Sequence, residues 1–152
     1  MQSIAGNIWD FHAQGSWIVI PTNLTVTANH HAVMGAGLAR QASERFPLVP
    51  EKLGQWVRTT KDAVLFLREE RLIAFPTKRD WKYPADPLLI QECARQLRDQ
   101  VALIGNLQIR PSLLSPHIYL PRLGCGLGQL RWDLVEPLLD KFLGYGKYIV
   151  VH

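Results

Sequence analysis

The tightest constraint on this chain is a glycine-rich segment held between two elements of opposite kind. Pro121-Arg122-Leu123-Gly124-Cys125-Gly126-Leu127-Gly128 follows the apolar run His117-Ile118-Tyr119-Leu120 and precedes Trp132-Asp133-Leu134-Val135-Glu136. The first run has the length and composition of a strand, and the second opens a helical pattern. Glycine at every second position leaves backbone N–H groups bare at the turn from strand to helix, an arrangement that holds phosphate with neutral donors. A second glycine turn, Val33-Met34-Gly35-Ala36-Gly37, also opens a helical pattern. Two such turns on one small chain predict an α/β fold and a ligand with two adjacent phosphates.

The remaining segments fit that expectation. Trp17-Ile18-Val19-Ile20 reads as a central strand ending at Pro21-Thr22-Asn23, which gathers polar side chains just past the strand end. A loop rich in Thr, Asn and His continues to His31, and Leu38, Ala39, Ala42 and Phe46 then recur at helical spacing until Pro47. Asp62 to Leu67 and Arg71 to Phe75 read as strands around the charged turn Arg68-Glu69-Glu70, the second running into Pro76-Thr77-Lys78-Arg79-Asp80-Trp81. Asp86 followed by Pro87 predicts a capped helix start, with Leu89, Ile90, Cys93, Leu97 and Val101 on one apolar face and Gly105 at the end. Asp133 and Glu136 are spaced like a capping box, and Pro137 predicts an irregular start to that helix. Tyr148-Ile149-Val150-Val151 reads as the last strand. Strands alternating with helices imply a largely parallel sheet covered on both faces, with ligands at the carboxyl ends of its strands. Asn23, the Gly35 turn, Lys78 and the Gly124 loop would converge on that edge.

Bulk properties narrow the class. A chain of 152 residues with 47% hydrophobic and 20% charged residues suits one globular domain, residues 1–152. The net charge of +4 permits a polyanionic partner without requiring one. Cys93 and Cys125 lack metal-type spacing and are expected to be reduced thiols, as in the cytoplasm. No apolar run reaches the roughly 20 residues of a membrane span, and the first residues lack a signal-peptide pattern. A cytoplasmic monomer is expected, with no membrane partner. His30 and His31 are adjacent and so poorly placed to converge on a metal; no metal is expected.

These pieces in this order resemble the macro domain family, whose members bind ADP-ribose. The resemblance covers nearly the whole chain. It implies a three-layer α/β/α fold with a central mixed, mostly parallel sheet. Gly6-Asn7-Ile8 resembles the family's first loop, usually Gly-Asp-Ile, which holds the adenine end. Ile18 to Asn23 resembles the strand that delivers an asparagine to the distal ribose, and Asn29 is a competing candidate for that role. Gly35, Ala36, Gly37 and Leu38 resemble the first glycine loop, and Gly124, Cys125, Gly126, Leu127 and Gly128 the phosphate loop. Met34-Gly35-Ala36-Gly37, Gly124-Cys125-Gly126-Leu127 and Phe75-Pro76-Thr77-Lys78 are similar to the branch containing terminal ADP-ribose glycohydrolases and antitoxins that remove ADP-ribose from DNA. That branch carries a catalytic lysine, which maps onto Lys78.

The implied activity is removal of ADP-ribose from a macromolecule, nucleic acid before protein, with no cofactor. Two residues depart from the pattern. Asn7 replaces the usual aspartate and loses the charge-assisted part of a hydrogen bond to adenine. Gly128 stands where some relatives place a catalytic aspartate, which leaves a non-catalytic ADP-ribose reader as the alternative. Hydrolysis of ADP-ribose 1″-phosphate or O-acetyl-ADP-ribose is a third reading. Arg79, Trp81, Lys82 and Tyr83 interleave cations and aromatics just after Lys78, as a rim for a nucleic-acid strand would. Cys125 reads as a small side chain between tight turns and Trp132 as a core aromatic.

Overall fold

A computed structural model of the chain describes residues 1–60, 63–106 and 117–152. In chain order the elements are β1 (Gln2–Ile4), α1 (Ile8–Ala13), β2 (Trp17–Asn23), α2 (Gly37–Arg45), α3 (Val49–Thr60), β3 (Leu65–Leu67), β4 (Leu72–Lys78), α4 (Pro87–Asn106), β5 (Ile118–Leu120), α5 (Trp132–Leu143) and β6 (Tyr148–Val151). The strands form one sheet in the order β1-β6-β5-β2-β4-β3. Every neighbouring pair is parallel except β3 with β4. This is the expected three-layer fold with a mixed, mostly parallel sheet.

Strand alternation divides the interior into two cores. Val19, Ile73, Phe75, Leu120 and Val150 face α4 and α5, meeting Leu89, Ile90, Cys93, Leu97, Val135 and Leu139. Ile18, Ile20, Leu72 and Ala74 face the other layer, meeting Trp9 of α1, Ala42 of α2 and Leu53 and Val57 of α3. β2 and β4 lie between both layers, so their side chains are buried on either face, as parallel central strands require. Each such aliphatic contributes about 1.5–3 kcal/mol on leaving water.

Several expectations need correction. β2 does not stop at Pro21 but continues to Asn23, and β4 continues through Pro76 to include Lys78. Proline inside a central strand normally removes a ladder bond. Here β5 pairs only with Trp17 and Ile18, so Pro21 lies where β2 has a single neighbour. Pro76 lies at an irregularity in the β2–β4 register. β3 begins at Leu65, and Asp62 lies outside the described residues. α4 runs one residue past Gly105. The capping box at α5 does not form: Arg131 is the N-cap, Asp133 pairs with Arg131, and Glu136 binds the Met1 ammonium. Nor does Pro137 spoil the helix start. The first helical bond, from Val135 N to Arg131 O, closes before the proline is reached. β1, α1 and α3 are elements beyond those expected. Val49, Leu53 and Val57 in α3 are buried at helical spacing, a signal that was present in the sequence.

Candidate functional site

The carboxyl ends of β5, β2 and β4 lie side by side, and the segments that leave them form the candidate site. At the end of β2, Thr22 pairs with Pro76 of β4, but the next pair is Asn23 with Lys78. Thr77 is therefore an extra residue on β4, a bulge of the kind that re-aims a side chain at a strand end. Lys78 is half-buried, and among the described residues its ammonium reaches only the Trp81 carbonyl, at 3.5 Å. Among the described residues no carboxylate lies within ion-pair distance of it. The Asn23 amide donates to Val33 O (2.9 Å) and accepts from Thr25 N (3.0 Å), so it fastens both ends of the following loop.

That loop, residues 24–33, folds back as a strap. Val26 and Ala32 bridge antiparallel, and Thr27 to His30 form the turn at its tip, with Asn29 exposed there. Asn23 thus sits beside Lys78, whereas Asn29 lies at the far end of the strap. The strap is locked onto α3: Ala32 N donates to Pro50 O (2.8 Å), and the His30 carbonyl fills the space over Gly54, where a β-carbon would lie 1.9 Å from it. The strap leads into the first glycine turn. Gly35, Ala36 and Gly37 are exposed, Leu38 is partly buried, and Gly37 takes the left-handed φ of +58° that lets the chain turn into α2. Among the described residues no side chain caps α2 at Ala36, so the first N–H groups of this helix stay open to a ligand.

The second glycine turn is folded on itself. Gly124 takes φ +77°, and its carbonyl accepts from Leu130 N at 3.0 Å. Gly128 is buried, and a β-carbon there would lie 2.4 Å from the Gly124 carbonyl oxygen and 2.9 Å from the Ala85 β-carbon. Gly126 and Leu127 are exposed. Among the described residues, the N–H groups of Gly126, Leu127 and Gly128 make no hydrogen bond. Burial pushes the Cys125 thiol up, which leaves it a poor nucleophile, and its S–H points at Leu123 O.

Hydrogen bonds tie the three segments together. Leu24 N donates to Lys78 O, Trp81 N to Thr25 Oγ1, and Ala85 N to Gly128 O. Asp86 caps α4 through Leu88 N and pairs with Arg79 at 2.8 Å, whose guanidinium holds the carboxyl below its usual range. Arg79 thus offers little net charge to a partner. Trp81 and Tyr83 are exposed, and the Lys82 ammonium lies over the Trp81 ring. Asn7 caps α1 by accepting from Trp9 N at 3.0 Å. Ile8 is buried, which leaves only its backbone for a ligand.

This arrangement matches known structures. No protein-family model matches the chain. The macrodomain of Thermus aquaticus DarG superposes with a TM-score of 0.69 at 25% identity, over 99% of this chain and 96% of that one. The chain has the macro-domain fold. Thermosipho africanus DarTG in complex with ADP-ribose gives a TM-score of 0.69 at 23% identity, over 93% of this chain and 39% of that one. The DNA ADP-ribosyl transferase–DNA ADP-ribosyl glycohydrolase fusion protein of the same organism is 30% identical over 144 residues. That match covers 79% of this macro domain, which spans only 35% of the fusion protein's length.

In this macro domain, then, Asn23 and Lys78 are register neighbours, and both glycine turns leave the same edge of the sheet. Trp132 packs partly buried on the α4–α5 core, as expected of a core aromatic. Among the described residues no group of three His, Cys, Asp or Glu side chains could hold a metal, and no helix is long and apolar enough to cross a membrane. Gly54 and Thr77 were missed from the sequence. Each acts through a partner distant in the chain, and neither leaves a local pattern.

Proposed function

We propose that this macro domain binds ADP-ribose and hydrolyses its link to a macromolecule, with Lys78 as the catalytic residue and DNA as the preferred acceptor. The observation that carries this reading is the pairing of Asn23 with Lys78 at the ends of adjacent strands, flanked by two turns with free N–H groups. The pyrophosphate rests on the backbone of Gly35 to Leu38 and Gly124 to Gly128, neutral donors that hold anions without charge pairing. The distal ribose lies over the ends of β2 and β4, and the adenine end reaches Asn7 and Ile8. Among the described residues Lys78 has no acidic partner to compete with substrate. As a free amine it attacks the anomeric carbon and displaces the acceptor, and water then releases ADP-ribose and restores the amine; as an ammonium it stabilises the departing acceptor while water attacks that carbon.

The relatives' names favour DNA, since one is called a DNA ADP-ribosyl glycohydrolase fusion protein. The exposed rings of Trp81 and Tyr83, with Lys82 between them, suit bases and phosphates flanking the modified nucleotide. Incubating the chain with ADP-ribosylated single-stranded DNA, RNA and protein, with calorimetry on free ADP-ribose alongside, tests this. Release from DNA is expected to be fastest; no heat with ADP-ribose would sink the reading altogether.

One observation favours a second reading. The Gly128 position has no room for a side chain, so the aspartate that some relatives use has no place here. A reader that only binds would give heat with ADP-ribose and no release from any of the three acceptors.

A further inference from the structure

We infer that Thr77 is the positioning residue for Lys78: its buried hydroxyl, bonded across the sheet to the Thr22 carbonyl, holds the bulge that brings the lysine opposite Asn23. The inference rests on the proposed role of Lys78 and adds a residue to it. The β2–β4 register is regular from Ile18–Leu72 to Thr22–Pro76. Continued one step, it would set Thr77 against Asn23; the observed partner is Lys78. A slip of one residue exchanges the faces on which side chains emerge, so it decides where the lysine points.

The bulge lies where the backbone ladder is weakest. Pro21 and Pro76 both lack an N–H, and both lie just before the place where β2 and β4 lose register. The Thr77 hydroxyl bonds to Thr22 O at 3.3 Å from a buried position, and the Thr77 carbonyl accepts from Asp86 N at 2.8 Å. One residue thus links the end of β2, the extra residue of β4 and the cap of α4. Beyond it, Leu24 N donates to Lys78 O at 3.1 Å and closes the shifted register. The neighbouring Thr22 hydroxyl is equally buried, but among the described residues it has no partner. Of these two buried threonines at one bulge, only Thr77 has a bonded hydroxyl among the described residues, which makes Thr22 an internal control.

The test compares the full chain with Thr77→Val, Thr77→Ser, Thr22→Val and Lys78→Ala. Thr77→Val keeps the shape and removes the donor. It is expected to lower kcat for ADP-ribose release by on the order of tenfold or more through misplacement of the amine. KM and the Kd for free ADP-ribose should stay within about threefold, because the phosphate turns are untouched. Exchange of the Leu24 amide should quicken by about tenfold, the equivalent of one lost hydrogen bond. Thr77→Ser should restore both readouts, and Thr22→Val should move neither. Wild-type Leu24 exchange in Thr77→Val would overturn the inference, as would an equal response in Thr22→Val. Full turnover in Lys78→Ala would instead refute the catalytic reading of Lys78, and Leu24 exchange would still decide whether Thr77 holds the register.

Discussion

Gly128→Ala isolates how the phosphate turn is built. A β-carbon at this position would lie 2.4 Å from the Gly124 carbonyl oxygen, and real β-carbon contacts under 3.0 Å essentially do not occur. The oxygen would have to retreat by at least about 0.6 Å, while the Ala85 β-carbon blocks relief on its side at 2.9 Å. Overfilling a packed site costs about 1–3 kcal/mol. The retreat also strains the bonds from Leu130 N to Gly124 O and from Ala85 N to Gly128 O, each worth about 1 kcal/mol. A loss of about 3 kcal/mol corresponds to roughly 6–12 °C in melting temperature for a chain of this size. Gly126→Ala is the matched control, since a β-carbon there meets nothing within 4 Å. That variant should melt within about 2 °C of wild type. Calorimetric melting with ADP-ribose titration separates the two, and affinity should fall with the fold only in Gly128→Ala. A Gly128→Ala protein that melts and binds like wild type would refute the packing argument. By the same geometry Gly128→Asp cannot install the acid that some relatives use: it should destabilise the turn and release ADP-ribose no faster.

Two further substitutions probe the frame around the site. Gly54→Ala replaces a helical glycine, a change worth about 1 kcal/mol of added stability on helix propensity alone. The 1.9 Å approach to the His30 carbonyl reverses that sign, so urea unfolding should show a net loss of about 1–2 kcal/mol; a stabilised protein would contradict the locked strap. His12 is buried on Glu70 O at 2.7 Å, and burial first, then the charges of Arg71 and Arg45, push its imidazole below the ordinary value. Below about pH 6.5 the unfolded chain binds a proton that the native ring refuses, so stability falls as pH drops through that range. His12→Gln should flatten stability between about pH 7.5 and 5; an unchanged slope would locate the effect in another group.

How legible the protein was depends on whether a feature is local. Glycine turns between strand and helix announce themselves because the backbone there needs open φ or exposed N–H groups, so the Gly35 and Gly124 loops could be read directly. Asn23 and Lys78 were legible as residues at strand ends, but their pairing was not. The pairing depends on a bulge between strands 55 residues apart in sequence, as the Thr77–Thr22 bond shows. Prolines 21 and 76 misled the strand boundaries, since proline counts against a strand unless the missing neighbour is known. Gly54 gave no signal at all. A lone glycine in a helix is unremarkable until the His30 carbonyl is found against it.

The most direct test of the proposed chemistry is the rate of ADP-ribose release from ADP-ribosylated single-stranded DNA by wild type and Lys78→Ala, measured at matched ADP-ribose occupancy. Among the described residues Lys78 makes no ion pair, so the variant should fold normally and bind ADP-ribose within about tenfold of wild type, while release falls to background. Unchanged turnover by Lys78→Ala would contradict the placement of catalysis at the end of β4.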